Sequence, residues 1–135
     1  MNNKISHLEF IHNTINRMSA SSFSIKGWTM ALVVALFAYL ASTKEVNLWH
    51  AVIIILPTTS FWVLNGFFLQ QERLYRKLYD KVRLLKEESI DFSMKTDEFK
   101  ASTKWFDAFR ANTMLMFYIP VLTISIAAVI VLGLI

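Results

Sequence analysis

Cysteine is missing from this chain, glycine occurs only 3 times and proline only 2 times. Without thiols there is no disulfide, no thiolate nucleophile and no Cys-based metal site. Three scattered glycines leave no phosphate-cradling loop, and neither a nucleophile elbow nor a His-x-x-x-His pattern is present. His7 and His12 are five apart, which on a helix does not put them on one face, and His50 lies in another segment. The carboxylates all lie in polar segments, where solvation or ion pairing explains them. The expectation is a protein that is not an enzyme, with no cofactor and no metal.

Charge is missing too, and in blocks. Residues 27–41, 48–69 and 113–135 contain no Asp, Glu, Lys or Arg. The chain is 55% hydrophobic and only 18% charged over 135 residues, too little charge for the surface of a soluble domain. As a helix, residues 48–69 would extend about 33 Å, enough to cross a hydrocarbon core of roughly 30 Å. A proton- or sodium-coupled carrier is unexpected, because no span has a charged residue in its interior and no internal repeat is visible.

What is present organises around residues 47–86. Asn47 is a good helix N-cap, the apolar run comes next, and no glycine or proline stops the helix after Leu69. Leu74, Leu78, Val82 and Leu85 then recur at helical spacing while the other faces carry charge, so the span is predicted to continue as a stalk. Upstream, Ser6 and Glu9 fit a capping box, and Leu8, Ile11, Ile15 and Met18 form an apolar stripe. That pattern predicts a short amphipathic helix on the bilayer or against the stalk, ending at a break over residues 19–22. Downstream, Thr96 reads as the cap of another helix, with Asp97 and Glu98 in its first turn and Phe99, Trp105, Phe106 and Phe109 on an aromatic flank.

The predicted fold is thus an all-α membrane protein with three transmembrane helices. Residues 1–23 form the amphipathic helix, 24–69 a transmembrane hairpin with spans at 24–42 and 48–69, 70–112 a helical stalk and loop, and 113–135 the third span. A helical hairpin is expected to extend from the second and third spans. Pro57 and Pro120 interrupt their spans and are candidate kinks. Lys and Arg are asymmetric: three precede the first span, ten lie between the second and third, and only Lys44 lies in the short turn. The N-terminus and the 70–112 loop are therefore expected in the cytoplasm and the C-terminus outside.

Thr58, Thr59, Trp62, Asn65 and Gly66 fall on one face of the second span. Such a stripe either packs helix on helix or lines a pore. A lone three-helix chain is expected to leave it in lipid, which predicts a homo-oligomer or larger complex. The stalk offers two further features. Leu74, Leu78, Val82 and Leu85 are a candidate helix–helix seam, too short for an independent coiled coil. Arg73, Arg76, Lys77 and Lys81 are candidate contacts for anionic lipid, a partner protein or a nucleotide second messenger bound between subunits. Nucleic acid is not expected, since residues 70–112 hold 10 basic against 8 acidic side chains.

The segments His7-Leu8-Glu9-Phe10-Ile11, Arg17-Met18, Ser22-Phe23, Lys26-Gly27-Trp28, Gln71-Glu72-Arg73, Phe92-Ser93-Met94, Trp105 and Phe117-Tyr118 resemble a family of small bacterial three-span inner-membrane proteins. Members of that family occur near genes of nucleotide-signalling or TIR-type phage-defence systems. The resemblance implies a bacterial inner-membrane location and a membrane effector or its partner, and it transfers no functional residues. Two functions are expected on these grounds. One is an oligomeric effector that alters membrane permeability in response to a cytoplasmic signal; the other is a non-conducting anchor that recruits a cytosolic protein.

Overall fold

A computed structural model describes residues 2–134; Met1 and Ile135, the last residue of the predicted third span, lie outside the described residues. The described residues are almost wholly helical. They comprise α1 (Asn3–Ser42), α2 (Leu48–Val82), α3 (Trp105–Phe109) and α4 (Asn112–Leu134), with 3₁₀ turns at Glu87–Ser89 and Asp97–Ser102. Helices α1, α2 and α4 are each long and apolar enough to cross a membrane. Helix α2 is the centre of the molecule, because α1, α3 and α4 all pack on it, α1 most extensively.

The first departure from expectation is that α1 does not break at residues 19–22 but runs unbroken for 40 residues. Its buried residues are His7, Ile11, Thr14, Ser22, Ile25, Thr29, Val33 and Leu40, with Ile15 beside them. Adding the half-buried Met18 and Leu36, the spacing is four, three, four, repeated every eleven residues. Eleven residues are close to three whole helical turns, so one stripe stays in register along the entire helix. Serine costs a helix only a few tenths of a kcal/mol relative to alanine, and no Gly or Pro lies in the segment to stop it. The predicted amphipathic helix is the upper half of α1, continuous with the first span and packed along the stalk.

The start of α1 also differs. The helix begins at Asn3, so Ser6 and Glu9 lie inside it rather than at its cap. Glu87 reaches across from the loop after α2, accepting from the Asn3 and Lys4 backbone N–H groups at 2.8 and 3.3 Å. A carboxylate there satisfies orphan donors and complements the helix dipole. At the other hairpin end, Asn47 caps α2 as expected, its Oδ1 accepting from Trp49 N at 3.0 Å. His50 completes the exchange, its Nδ1 accepting from Asn47 N at 3.1 Å.

The expected return helix is not formed. After Val82 the chain tightens, with Leu84 N donating to Lys81 O and Leu85 N to Val82 O. Residues 90–96 have no regular secondary structure, and Asp91 Oδ1 accepts from Ser93 N at 3.0 Å in a local turn that competes with helix. Thr96 makes no side-chain cap, and the residues after it form a 3₁₀ turn. The hairpin of this molecule is therefore α1 with α2, and residues 83–111 form an irregular strap along it. Pro57 and Pro120 both sit inside continuous helices.

Three apolar clusters lie along the long axis. In the stalk Ile11 and Ile15 meet Leu78 and Val82, with Leu8, Leu85, Met94 and Phe99 around them. Trp62, Met114 and Tyr118 form the middle cluster, and Leu40, Ile54 and Val129 the far one.

Candidate functional site: a polar junction in the three-helix bundle

Where α1, α2 and α4 meet, the core turns polar. Asn65 is fully buried, and its amide is shared between the other two helices. Its Oδ1 accepts from Ser22 Oγ of α1, and its Nδ2 donates to Tyr118 Oη of α4 at 2.9 Å. Lys26, one turn along α1, donates to Ser22 Oγ at 3.3 Å, which extends the network to an ionisable group. Around this junction Thr29, Thr58 and Ser125 are buried and donate to carbonyls one turn back, at Ile25, Ile54 and Val121, over 2.7–2.8 Å. Every hydroxyl named here has a partner, as a low-dielectric interior requires.

An aromatic stack adjoins it. The Trp62 ring lies parallel to Phe109 at 4.3 Å and to Tyr118 at 5.3 Å, and its Nε1 donates to Phe109 O at 2.8 Å. Trp105 donates from Nε1 to Val63 O at 3.1 Å and packs over Gly66. A Cβ at position 66 would lie 2.9 Å from Trp105 Nε1 and 3.4 Å from Phe109 Cα. Glycine there is what lets α3 sit directly on α2.

The predicted stripe is therefore brought together and buried within one chain: Thr58, Trp62, Asn65 and Gly66 are buried and Thr59 is half-buried. The expectation that a lone chain leaves it in lipid is corrected, because α1 and α4 already cover it. The stalk seam is likewise occupied from within. Leu74, Leu78 and Val82 are buried, and Leu85 packs against the α1–α2 cluster rather than awaiting a second copy.

Of the four basic residues, Arg73, Arg76 and Lys77 line one cavity and Lys81 another. Arg76 pairs with Glu72 at 2.9 Å, and Lys77 donates to the carbonyl and hydroxyl oxygens of Ser102 at 3.1 and 3.0 Å. Lys81 pairs with Glu98 at 2.5 Å on a different part of the surface. Arg73 makes no ion pair among the described residues. Nearby, the Lys100 ammonium 2.9 Å from Asp97 holds that carboxyl below the ordinary carboxylate range.

Sequence reasoning missed Ser22, Lys26 and Tyr118, and it missed the role of His7. His7 is 1% exposed, and its Nε2–H donates to Ser93 O at 2.9 Å. That bond leaves Nδ1 buried without a partner. Phe92 tilts against the His7 ring at 5.6 Å and against Phe10 at 6.0 Å, and it holds φ at 54°, a conformation costly for an aromatic residue. The one available signal was the eleven-residue spacing, which puts His7, Ser22 and Thr29 on a single stripe. Among the described residues, no three His, Asp or Glu side chains are grouped to hold a metal ion.

Comparison with protein-family models, with curated proteins and with solved structures finds no match to this chain.

Proposed function

We propose that this chain is a membrane anchor whose stalk, on the cytoplasmic side of the inner membrane, docks a partner protein at its tip. The orientation rests on the Lys and Arg bias, since only Lys44 of 14 such residues lies in the α1–α2 turn. One observation carries the function: apolar side chains are exposed at the end of the stalk. Phe10 is 53% exposed and Leu84 79%, with Ile5 and Phe92 also open at that end. Leu84 lies fifteen residues past the apolar run of α2, about 20 Å along a helical rise, beyond the reach of lipid. Apolar surface that water must otherwise wet marks a contact site. Helices α1 and α2 run unbroken from that tip into the apolar segments.

A second reading has its own observation. Lys26 is an ionisable side chain at the edge of an intramembrane network, the kind of residue that marks pathways in membrane bundles. In this reading several copies assemble, and a cytoplasmic signal separates the helices to raise permeability. A nucleotide is one such signal, in keeping with the defence setting of the family this chain resembles.

The test is reconstitution into liposomes holding a trapped dye, together with native mass spectrometry of the protein taken from its own membrane. The anchor reading expects tight liposomes and an added mass on the wild-type chain, lost when Phe10→Ser is combined with Leu84→Asp. Leaking liposomes, sealed again by Asn65→Leu with Thr58→Val, replace it with the second reading. A bare monomer in tight liposomes sinks both.

A further inference from the structure

Between the base of the stalk and the strap, α2 and residues 102–107 border an open cavity of about 350 Å³. Arg73, Arg76, Lys77 and Lys104 line it, opposed by the carboxylates of Asp80 and Asp107. Those two acids are partly offset by exposed arginines, Asp80 by Arg83 at 3.4 Å and Asp107 by Arg110 at 3.7 Å. Arg76 has Glu72 and Lys77 has Ser102. Arg73 and Lys104 are left with no ion-pair partner among the described residues, on one wall each of the same cavity. Two cations without ion-pair partners face one space, and together they ask for a phosphate.

The depth of the cavity says which phosphate. Arg73 lies one helical turn past the uncharged run that ends at Leu69. Lys104 is fixed just outside the apolar region, because Trp105 is bonded to Val63 within it. Gln70 Nε2 donates to Thr103 O at 3.1 Å, which pins the strap at the same level. Phe106 is exposed beside this segment, with the Arg110 guanidinium 5.0 Å from its ring centre. Cations over aromatic side chains are suited to the headgroup layer. We infer that this cavity binds the headgroup phosphate of an anionic phospholipid of the leaflet that the stalk faces, through Arg73 and Lys104. The inference does not rest on the anchor reading; it needs only that the three apolar helices cross a membrane. Basic residues at this level are also where a surface potential acts on a membrane protein.

The experiment uses the full chain, native mass spectrometry, and titration with dioleoyl phosphatidylglycerol or dioleoyl phosphatidylcholine in detergent. The expected result is one phosphatidylglycerol held per chain in preference to phosphatidylcholine. Combining Arg73→Gln with Lys104→Gln is expected to weaken that retention about tenfold or more. The control, Lys86→Gln with Lys100→Gln, removes two cations that do not line the cavity and is expected to retain the lipid as wild type does. Should the double variant fail to fold, the wild type still decides, because headgroup retention must fall as salt rises. Equal retention of both lipids, or equal loss in the control, overturns the inference. Inorganic phosphate displacing the lipid stoichiometrically at equal concentration would make the cavity a soluble-anion site and would overturn it as well.

Discussion

In the stalk, Ile11 and Ile15 of α1 meet Leu78 and Val82 of α2; farther down the same two helices, Ser22 meets Asn65. On the membrane placement proposed above, the difference tracks the solvent. With the stalk in water, each fully buried Leu or Ile contributes about 1.5–3 kcal/mol by leaving it. Within a bilayer that driving force is gone, because lipid tails are as apolar as leucine, and helices are held by close packing and shared hydrogen bonds. The junction accordingly carries Asn65, Ser22 and Tyr118, with Gly66 where α3 approaches closest. One helix pair thus has an apolar cluster in the stalk and, between two further apolar clusters, a polar layer in the apolar helical segments.

The comparison breaks most visibly in the stalk. Leu78→Ala removes a buried side chain from the stalk cluster and is expected to cost about 2–5 kcal/mol. Amide hydrogen exchange should then rise over residues 3–18 and 74–85 while the spans stay protected. Equal loosening at both ends would mean that the two regions are not held separately. Gly66→Ala comes next. It drives a methyl into Trp105 and the Phe109 backbone, at an expected cost of about 1–3 kcal/mol. The readout is a red shift in Trp105 emission as its bond to Val63 O is lost.

Asn65→Leu tests the polar layer. The leucine is welcome in lipid, but the Ser22 and Tyr118 hydroxyls lose their shared partner, for an expected cost of about 1–2 kcal/mol in the bilayer. Chemical denaturation of the bilayer-embedded protein would register it; a gain in stability would show that the polar layer is not what joins the three helices. The smallest effect is at the surface. Lys100→Gln should let the Asp97 carboxyl rise toward its ordinary value, monitored by NMR titration. Because the folded-state value is depressed, its contribution is present above the ordinary carboxylate range and is lost as pH falls through the folded value. The pair is exposed to solvent, so salt should erase most of the difference.

Much of this was legible in the chain. Uncharged blocks mark the three long apolar helices, Asn47 marks the start of α2, and the Leu74–Leu78–Val82 stripe marks the stalk. The continuity of α1 was not legible, because its stripe alternates apolar residues with His7, Thr14, Ser22 and Thr29, which a search for apolar periodicity passes over. A run of serines looks like a break until Asn65 is seen opposite Ser22. The strap misleads for the reverse reason: Thr96, Asp97 and Glu98 are good helix-start residues, yet Asp91 and the turn around Ser93 spend the local hydrogen bonds elsewhere. Stripe residues Thr58 and Asn65 were correctly grouped, but which helices cover them is a long-range fact that spacing alone does not carry.

A double-mutant cycle on Ser22→Ala and Asn65→Leu tests the central claim, that the polar face is satisfied within one chain. Stability would be read in bilayers by steric trapping at protein-to-lipid ratios low enough to separate the copies. The account predicts a coupling of about 0.6–1.7 kcal/mol that does not change on further dilution. A coupling of zero, or one that vanishes on dilution, would contradict it, because Asn65 would then find its partners on another chain.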